Sequence, residues 1–410
     1  MNIAVENKTI FNNVLVENII KKLFRNELFG PENYKSALIV KYLSSSDIGL
    51  KKTALKFLRE ILEIDETLNV DDRDIEILAK WWYKNQCKNI PFPEPLDYDF
   101  TFVDLFAGIG GFRLALQNLN GKCVFSSEWN KDSQKTYFSN FGEIPFGDIT
   151  LNSTKAFIPQ NFDVLCAGFP CQPFSLAGVS SRNSLGLEHG FNHPTQGNLF
   201  FEIIEIAKKH KPKIIFLENV KNLKSHDNGN TFKIIEKTLR DIGYSFFSTV
   251  INSQTVVPQR RERTYMVCFR DKRINFSFPE FEGKPLKLKS ILEEHVPEKY
   301  TISDKLWEGH IRRTKKNLER GTGFSANTAD IEKPSKTIVA RYYKDGKECL
   351  IPQENGNPRM LTPRECSRLM GFPENYILPA SDSVAYKQFG NSVAVPVIKQ
   401  IAELIKSKLK

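Results

Sequence analysis

Four stretches before residue 97 place apolar residues at three-to-four spacing: VENIIKKLF (16–24), KSALIVKYL (35–43), TALKFLREILEI (53–64) and DIEILAKWWYK (74–84). That period predicts helices with one buried face. The Pro-rich PFPEPLDYD (91–99) breaks the pattern and reads as a linker. From Phe100 the texture changes to β-rich runs: TFVDLFAG, KCVFSSEW, FDVLCAGFP, KIIFLENV, SFFSTVIN and RTYMVCF. Amphipathic stretches lie between or after them, among them FRLALQNLN, LFFEIIEIAKKH and TFKIIEKTLRDIG. This alternation predicts an α/β fold, an open parallel sheet with helices on both faces. Between about 271 and 357 the alternation is lost in a Lys-rich, irregular segment, and LTPRECSRLMGF and VIKQIAELIKSKL close the chain as helices. No internal repeat is evident.

Composition narrows this only slightly. At 410 residues, 40% hydrophobic and 26% charged, the chain suits a soluble protein of two or three domains. No apolar stretch approaches the roughly 18 residues of a membrane span. The first residues carry neither a basic nor an apolar leader region. Seven cysteines at scattered spacings point to reduced thiols and a cytoplasmic location, and no Cys/His cluster suggests a metal. The net charge of +10 points to a polyanionic partner, a weak signal until a site gives it meaning.

The chemistry-bearing stretches fall at strand ends. In DLFAGIGGFRLAL, Gly108, Gly110 and Gly111 let the backbone pass close to a ligand where a strand turns into a helix. About two dozen residues on, SSEWN ends a strand with Glu128, placed to accept from ribose hydroxyls. Trp129 offers a face for a purine, with ordinary core packing as the other reading. Asp148 in FGDIT is positioned to accept from an exocyclic amine. An acid, an aromatic and a turn without a phosphate-binding lysine suit S-adenosylmethionine better than ATP or NAD. In LCAGFPCQPFS, prolines 170 and 173 frame Cys171 at the C-terminal edge of the sheet. Cys123, Cys166 and Cys268 sit inside apolar runs and read as inert. Glu218 in FLENV ends the next strand, and Arg261 and Arg263, two apart on an extended chain, share a side. Together these describe a thiolate, an acid and two cations beside an adenosine cofactor.

DLFAGIGGF, GFPCQPFS, ENV, QRRER and FGNSVAVPV, in that order, resemble the motif set of the C5-cytosine DNA methyltransferases, over roughly 100–275 and 355–405. The resemblance implies a Rossmann-like methyltransferase domain, S-adenosylmethionine as methyl donor, and a flipped cytosine in a short palindromic duplex site as substrate. It divides the chain into a helical accessory domain (1–97), a catalytic domain (98–272), a target-recognition domain (273–357) and a segment completing the catalytic domain (358–410). Cys171 would add to C6, Glu218 would engage N3 and the exocyclic amine, and Arg263, supported by Arg261, would hold the base carbonyl. The cofactor set would be Asp104, Phe106, Ala107, Gly108, Gly110, Gly111, Glu128, Trp129, Asp148, Ile149, Pro170, Asn391 and Ser392, with FGNSVAVPV folded back beside the glycine turn.

The stretch after Cys171 departs from the family: SSRNSLGLEHG reads as an extension before TQG. Gln172, Ser175 and Arg182 there are candidate DNA contacts. In HIRRTKKNLERGTGF, Arg312, Arg313, Lys315, Lys316 and Arg320 suit phosphate contacts as a group, though each alone suits a solvated face equally well. Arg341, Tyr342 and Tyr343 are candidate contacts or packing residues. RGTGF with TIVARYYKDGKECLI resembles recognition regions for palindromes that begin CC and end GG, including Dcm-like methylases. The expectation is therefore a monomeric enzyme on double-stranded DNA, with a cognate restriction endonuclease in the same system. A C5-cytosine tRNA methyltransferase and a regulatory role of the N-terminal region are the alternatives.

Overall fold

The computed structural model describes residues 28–45, 47–62, 71–170, 199–321 and 328–409. Three predicted N-terminal helices are present as α1 (Tyr34–Ser45), α2 (Ile48–Leu62) and α3 (Asp72–Gln86). The Asp71 carboxylate caps α3 by accepting from the Arg73 N–H. The 16–24 stretch lies outside the described residues. The main sheet is built from β1 (Phe100–Leu105), β2 (Gly121–Ser127), β3 (Val164–Gly168), β4 (Ile214–Val220), β5 (Phe247–Asn252) and β7 (Glu262–Phe269). A two-residue strand, β6 (Gln259–Arg260), pairs instead with β8 (Ser335–Lys336). Along the chain the helices are α4 (Gly111–Gln117), α5 (Lys131–Phe141), α6 (Leu199–His210), α7 (Asn230–Asp241), α8 (Asp304–Glu319), α9 (Pro363–Leu369), α10 (Asp382–Asn391) and α11 (Val395–Ser407).

The strand order is β2-β1-β3-β4-β7-β5. The first four strands are parallel, as expected, but β7 runs antiparallel to both β4 and β5. Only about ten residues join β5 to β7, too few for a crossover helix, so the chain returns beside β5 in the opposite direction. The sheet is mixed rather than wholly parallel.

Alternation along each strand feeds two cores. Val103, Leu105, Leu165, Ala167, Ile215, Leu217, Met266 and Cys268 point to one face, where they join α6, α7 and also buried residues of α1–α3. Phe100, Phe102, Val164, Cys166, Ile214, Phe216, Tyr265 and Val267 point to the other, packed with α4, α9–α11 and residues of the 276–351 region. The N-terminal helices thus share a core with the sheet, and Lys41 donates to the Val124 carbonyl on β2, the edge strand. Phe29 and Trp82 both pack on Phe138 of α5, the latter stacked at 6.5 Å.

Candidate active site

The C-terminal ends of the parallel strands open onto one cavity of about 760 Å³, lined by residues of DLFAGIGGF, SSEWN, FGDIT, GFP, ENV, QRRER and FGNSV. After β1 the backbone takes left-handed conformations at Phe106 (φ 56°), Gly108 (φ 55°) and Gly110 (φ 82°). A Cβ at Gly110 would stand 2.3 Å from the Phe141 ring, so only glycine fits this turn. At Gly111 a Cβ would meet Val393 at 2.6 Å and the Ser392 hydroxyl at 3.2 Å. The C-terminal motif therefore lies directly on the glycine turn, although more than half the length of the sequence separates them.

Beyond β2, the buried Glu128 carboxylate accepts from the backbone N–H groups of Gly108 (2.9 Å) and Asn130 (2.8 Å). Burial pushes this carboxyl up, and the N–H bonds oppose the shift. Trp129 is 65% exposed on the cavity wall, which removes the core-packing reading. Asp148 accepts from the N–H and hydroxyl of Thr150, both at 2.9 Å, and lines the same wall with Ile149. Phe106, Ala107, Gly108, Gly111, Pro170, Asn391 and Ser392 also line the cavity. Asp104 does not. It lies fully buried behind the turn, neither oxygen in a well-formed hydrogen bond with any described residue, and burial pushes it up to about 8 against the nearby Arg113 charge.

On the opposite wall, Glu218 and Arg263 form an ion pair, Oε1 to Nε 3.2 Å, both largely buried. Burial raises the Glu218 carboxyl, with Arg263 and Arg261 pulling the other way. Arg261 is 3% exposed, and its guanidinium donates to three backbone carbonyls: Ile338 (3.2 Å), Gly390 (3.2 Å) and Ser392 (2.6 Å). It lines the cavity, but these bonds tie the C-terminal motif and the 338 segment to the end of β4–β7. Burial and the neighbouring Arg263 charge pull it down to about 9.

Cys171, Gln172, Ser175, Arg182 and the SSRNSLGLEHG extension lie outside the described residues. Pro170, the residue before Cys171, is on the cavity wall. The six described cysteines make poor nucleophiles: burial pushes Cys87 up to about 11, Cys123 and Cys349 up to about 12, and Cys166, Cys268 and Cys366 well above the ordinary thiol value.

Two site residues escaped the sequence reading. Asn219 donates to the Phe169 carbonyl at 2.9 Å and so anchors the chain leading to Cys171. Its place directly after Glu218 was the available signal. Gln388 lines the cavity, its Oε1 accepting from Thr136 at 3.1 Å while its buried Nε2 has no partner among the described residues. It sits one helical turn before Asn391. Far from this cavity in sequence, Arg312, Arg313, Lys315 and Lys316 lie exposed on α8, Arg320 caps it, and Arg341 is exposed. Arg313 is engaged with His310 (3.1 Å) and Asp345 (3.7 Å). Tyr342 is a packing residue, buried, donating to the Cys349 carbonyl and accepting from the Leu361 N–H.

Comparison with known proteins agrees with this arrangement. A family model described as C-5 cytosine-specific DNA methylase matches residues 100–407. The chain is 48% identical to the type II methyltransferase M.SsoII of Shigella sonnei, over 78% of this chain and 83% of that protein. It is 45% identical to the type II methyltransferase M.HpaII of Haemophilus parainfluenzae, over 76% and 90%. Among solved structures, a Spodoptera frugiperda DNMT2 variant superposes with a TM-score of 0.59 over 75% of this chain and 99% of that one, at 23% identity, a likeness of fold alone. The chain belongs to the C-5 cytosine-specific DNA methylases and is a DNA-cytosine methyltransferase.

Proposed function

We propose that the cavity takes S-adenosylmethionine on its Glu128–Asp148 side and a cytosine, flipped out of double-stranded DNA, on its Glu218–Arg263 side. One observation carries this reading: the adenosine-type wall and the buried acid–cation pair face a single cavity into which the chain delivers Pro170, one residue before Cys171. The residues fit the cofactor. Each Glu128 oxygen retains a lone pair for a ribose hydroxyl, Trp129 offers an exposed face, and Gln388 an amide without a partner among the described residues. When bound, S-adenosylmethionine supplies an electrophilic methyl group.

The chain supplies the rest. Addition of the Cys171 thiolate to C6 forms an S–C6 bond and moves electrons toward N3, where the buried Glu218 provides or shares a proton. Arg263 holds that carboxyl and offers its remaining guanidinium donors to the base carbonyl, while Arg261 supports the frame. The ring so activated is nucleophilic at C5. Loss of the C5 proton to solvent, departure of the thiolate and return of the N3 proton to Glu218 restore the aromatic base. A stacked base cannot enter such a cavity, so the nucleotide is extruded at a cost of a few kcal/mol. The exposed cations of α8 serve the phosphates, and the region 273–357 reads a CC-containing palindrome of four or five base pairs, such as CCGG or a CCWGG-like site. The enzyme then acts as a monomer in the bacterial cytoplasm and protects DNA from a cognate restriction endonuclease.

Methyl transfer from labelled S-adenosylmethionine, with duplex DNA and tRNA as competing substrates, tests the substrate class. Transfer to tRNA alone would overturn it. Bisulfite sequencing of a plasmid carried with the gene reads the context, and Cys171→Ser should abolish methylation while leaving DNA binding intact.

A further inference from the structure

We infer that the N-terminal region is a positioning element of the cofactor wall. The inference rests on the reading of the cavity's Glu128–Asp148 side as the S-adenosylmethionine site. That wall is made of two short stretches at the sheet's edge: beyond β2, among the described residues, only the isolated parallel bridge of Phe146 to Ser127 extends the sheet. What stands behind them is the segment entering α1. The Asp148 N–H donates to the Pro31 carbonyl at 2.7 Å, and the Asn33 amide donates to the Pro145 carbonyl at 3.1 Å. Gln134, fully buried, clamps the two parts together. Its Oε1 accepts from the Gly30 N–H at 2.7 Å, and its Nε2 donates to the Gly30 carbonyl at 2.9 Å and also to the carbonyl of Glu128 itself.

The contact is close enough to be steric as well as polar. A Cβ on Gly147 would lie 1.8 Å from the Pro31 carbonyl oxygen, so the two backbones touch where the wall turns. Gly147 has no left-handed φ, and the approach of Pro31 is therefore what excludes a side chain there. Two backbone groups of the wall, the Glu128 carbonyl and the Asp148 N–H, end on residues 30–31 directly or through one side chain. Neither Gln134 nor Asn33 lines the cavity. Their effect on the cofactor runs through the backbone positions of Glu128, Trp129 and Asp148.

Full-length Gln134→Ala and Asn33→Ala test this by isothermal titration with S-adenosylmethionine and by steady-state kinetics on duplex DNA. Each removes buried hydrogen bonds to the wall and should weaken cofactor binding about tenfold. KM for the cofactor should rise in step, with kcat at saturating cofactor and KM for DNA near wild type. Gly147→Ala, which wedges the two backbones apart, should do the same. Tyr42→Phe removes a 2.5 Å bond to Glu76 within the N-terminal helices and should lower Tm without changing cofactor affinity. Wild-type affinity in Gln134→Ala and Asn33→Ala overturns the inference. An equal loss in Tyr42→Phe also overturns it, since global stability would then explain the effect. If Gln134→Ala does not fold, Asn33→Ala carries the same decision. Wild-type protein that fails to bind S-adenosylmethionine would overturn the reading of the cavity itself.

Discussion

The Glu218–Arg263 pair and the Arg312–Lys316 run both carry charge, yet they are built in opposite ways. The pair is sunk at the end of β4 and β7, side chains 10% and 13% exposed, with Arg261 tied to carbonyls beneath it. The run lies on α8, a helix in which only His310 is buried, and its cations stand in water. In a low dielectric each charge depends on its partner, and removing one strands the other. In water the same charges are screened and nearly interchangeable. Chemistry on a base needs the first arrangement, and holding a phosphate backbone needs the second.

The sharpest way to break this contrast is Glu218→Gln, which keeps the shape and removes the titrating proton. It should lower kcat by about 10²–10⁴ with cofactor affinity retained, as for loss of a general acid, and a kcat within tenfold of wild type would end the argument. Next, Arg261→Met leaves three buried carbonyls unpaired and should destabilise by about 3–5 kcal/mol in urea unfolding, far more than any α8 substitution.

Third comes pH. Burial holds the folded Asp104 carboxyl at about 8 against an ordinary 3.8. The folded protein therefore keeps a proton that the unfolded chain releases. Stability from this group is complete below about pH 4 and is lost as pH rises toward 8. Glu128 and Glu218, also pushed up by burial, add in the same direction. Asp104→Asn should flatten the decline in urea midpoints across that range, and an unchanged slope would refute the assignment. Smallest are Arg312→Ala and Lys315→Ala, each expected to leave stability within about 0.5 kcal/mol. Each should also reduce the slope of log K for DNA against log salt by about 0.9. A slope unchanged in both would remove α8 from the phosphate contacts.

Many elements were legible, several to within one or two residues, because each is written in a period that a strand or helix cannot disguise. TFVDLFAG became Phe100–Leu105, KIIFLENV became Ile214–Val220, and LFFEIIEIAKKH became Leu199–His210 with the same bounds. But α2 begins at Ile48, ahead of the run read at 53–64, and α8 lies in the stretch read as irregular. The turn glycines and Glu128 were legible for a related reason: a tight turn and a strand-end acid are local events. Arg261 was not. The spacing to Arg263 suggested two cations on one target, whereas its acceptors come from residues 77 to 131 positions away. No local pattern announces such partners.

By itself, the sequence determined most of the sheet strands and several of the helices, the order of the motifs and the kinds of group they carry, since these follow from side-chain periodicity and chemistry over a few residues. The reversal of β7 follows from the short link after β5, whereas the tertiary structure alone decided that Arg261 serves backbone carbonyls and that residues 30–33 stand behind the Glu128–Asp148 wall. Those outcomes depend on groups brought together across about 100 residues of chain, where packing and the pairing of buried polar atoms choose among arrangements that the local sequence leaves equal.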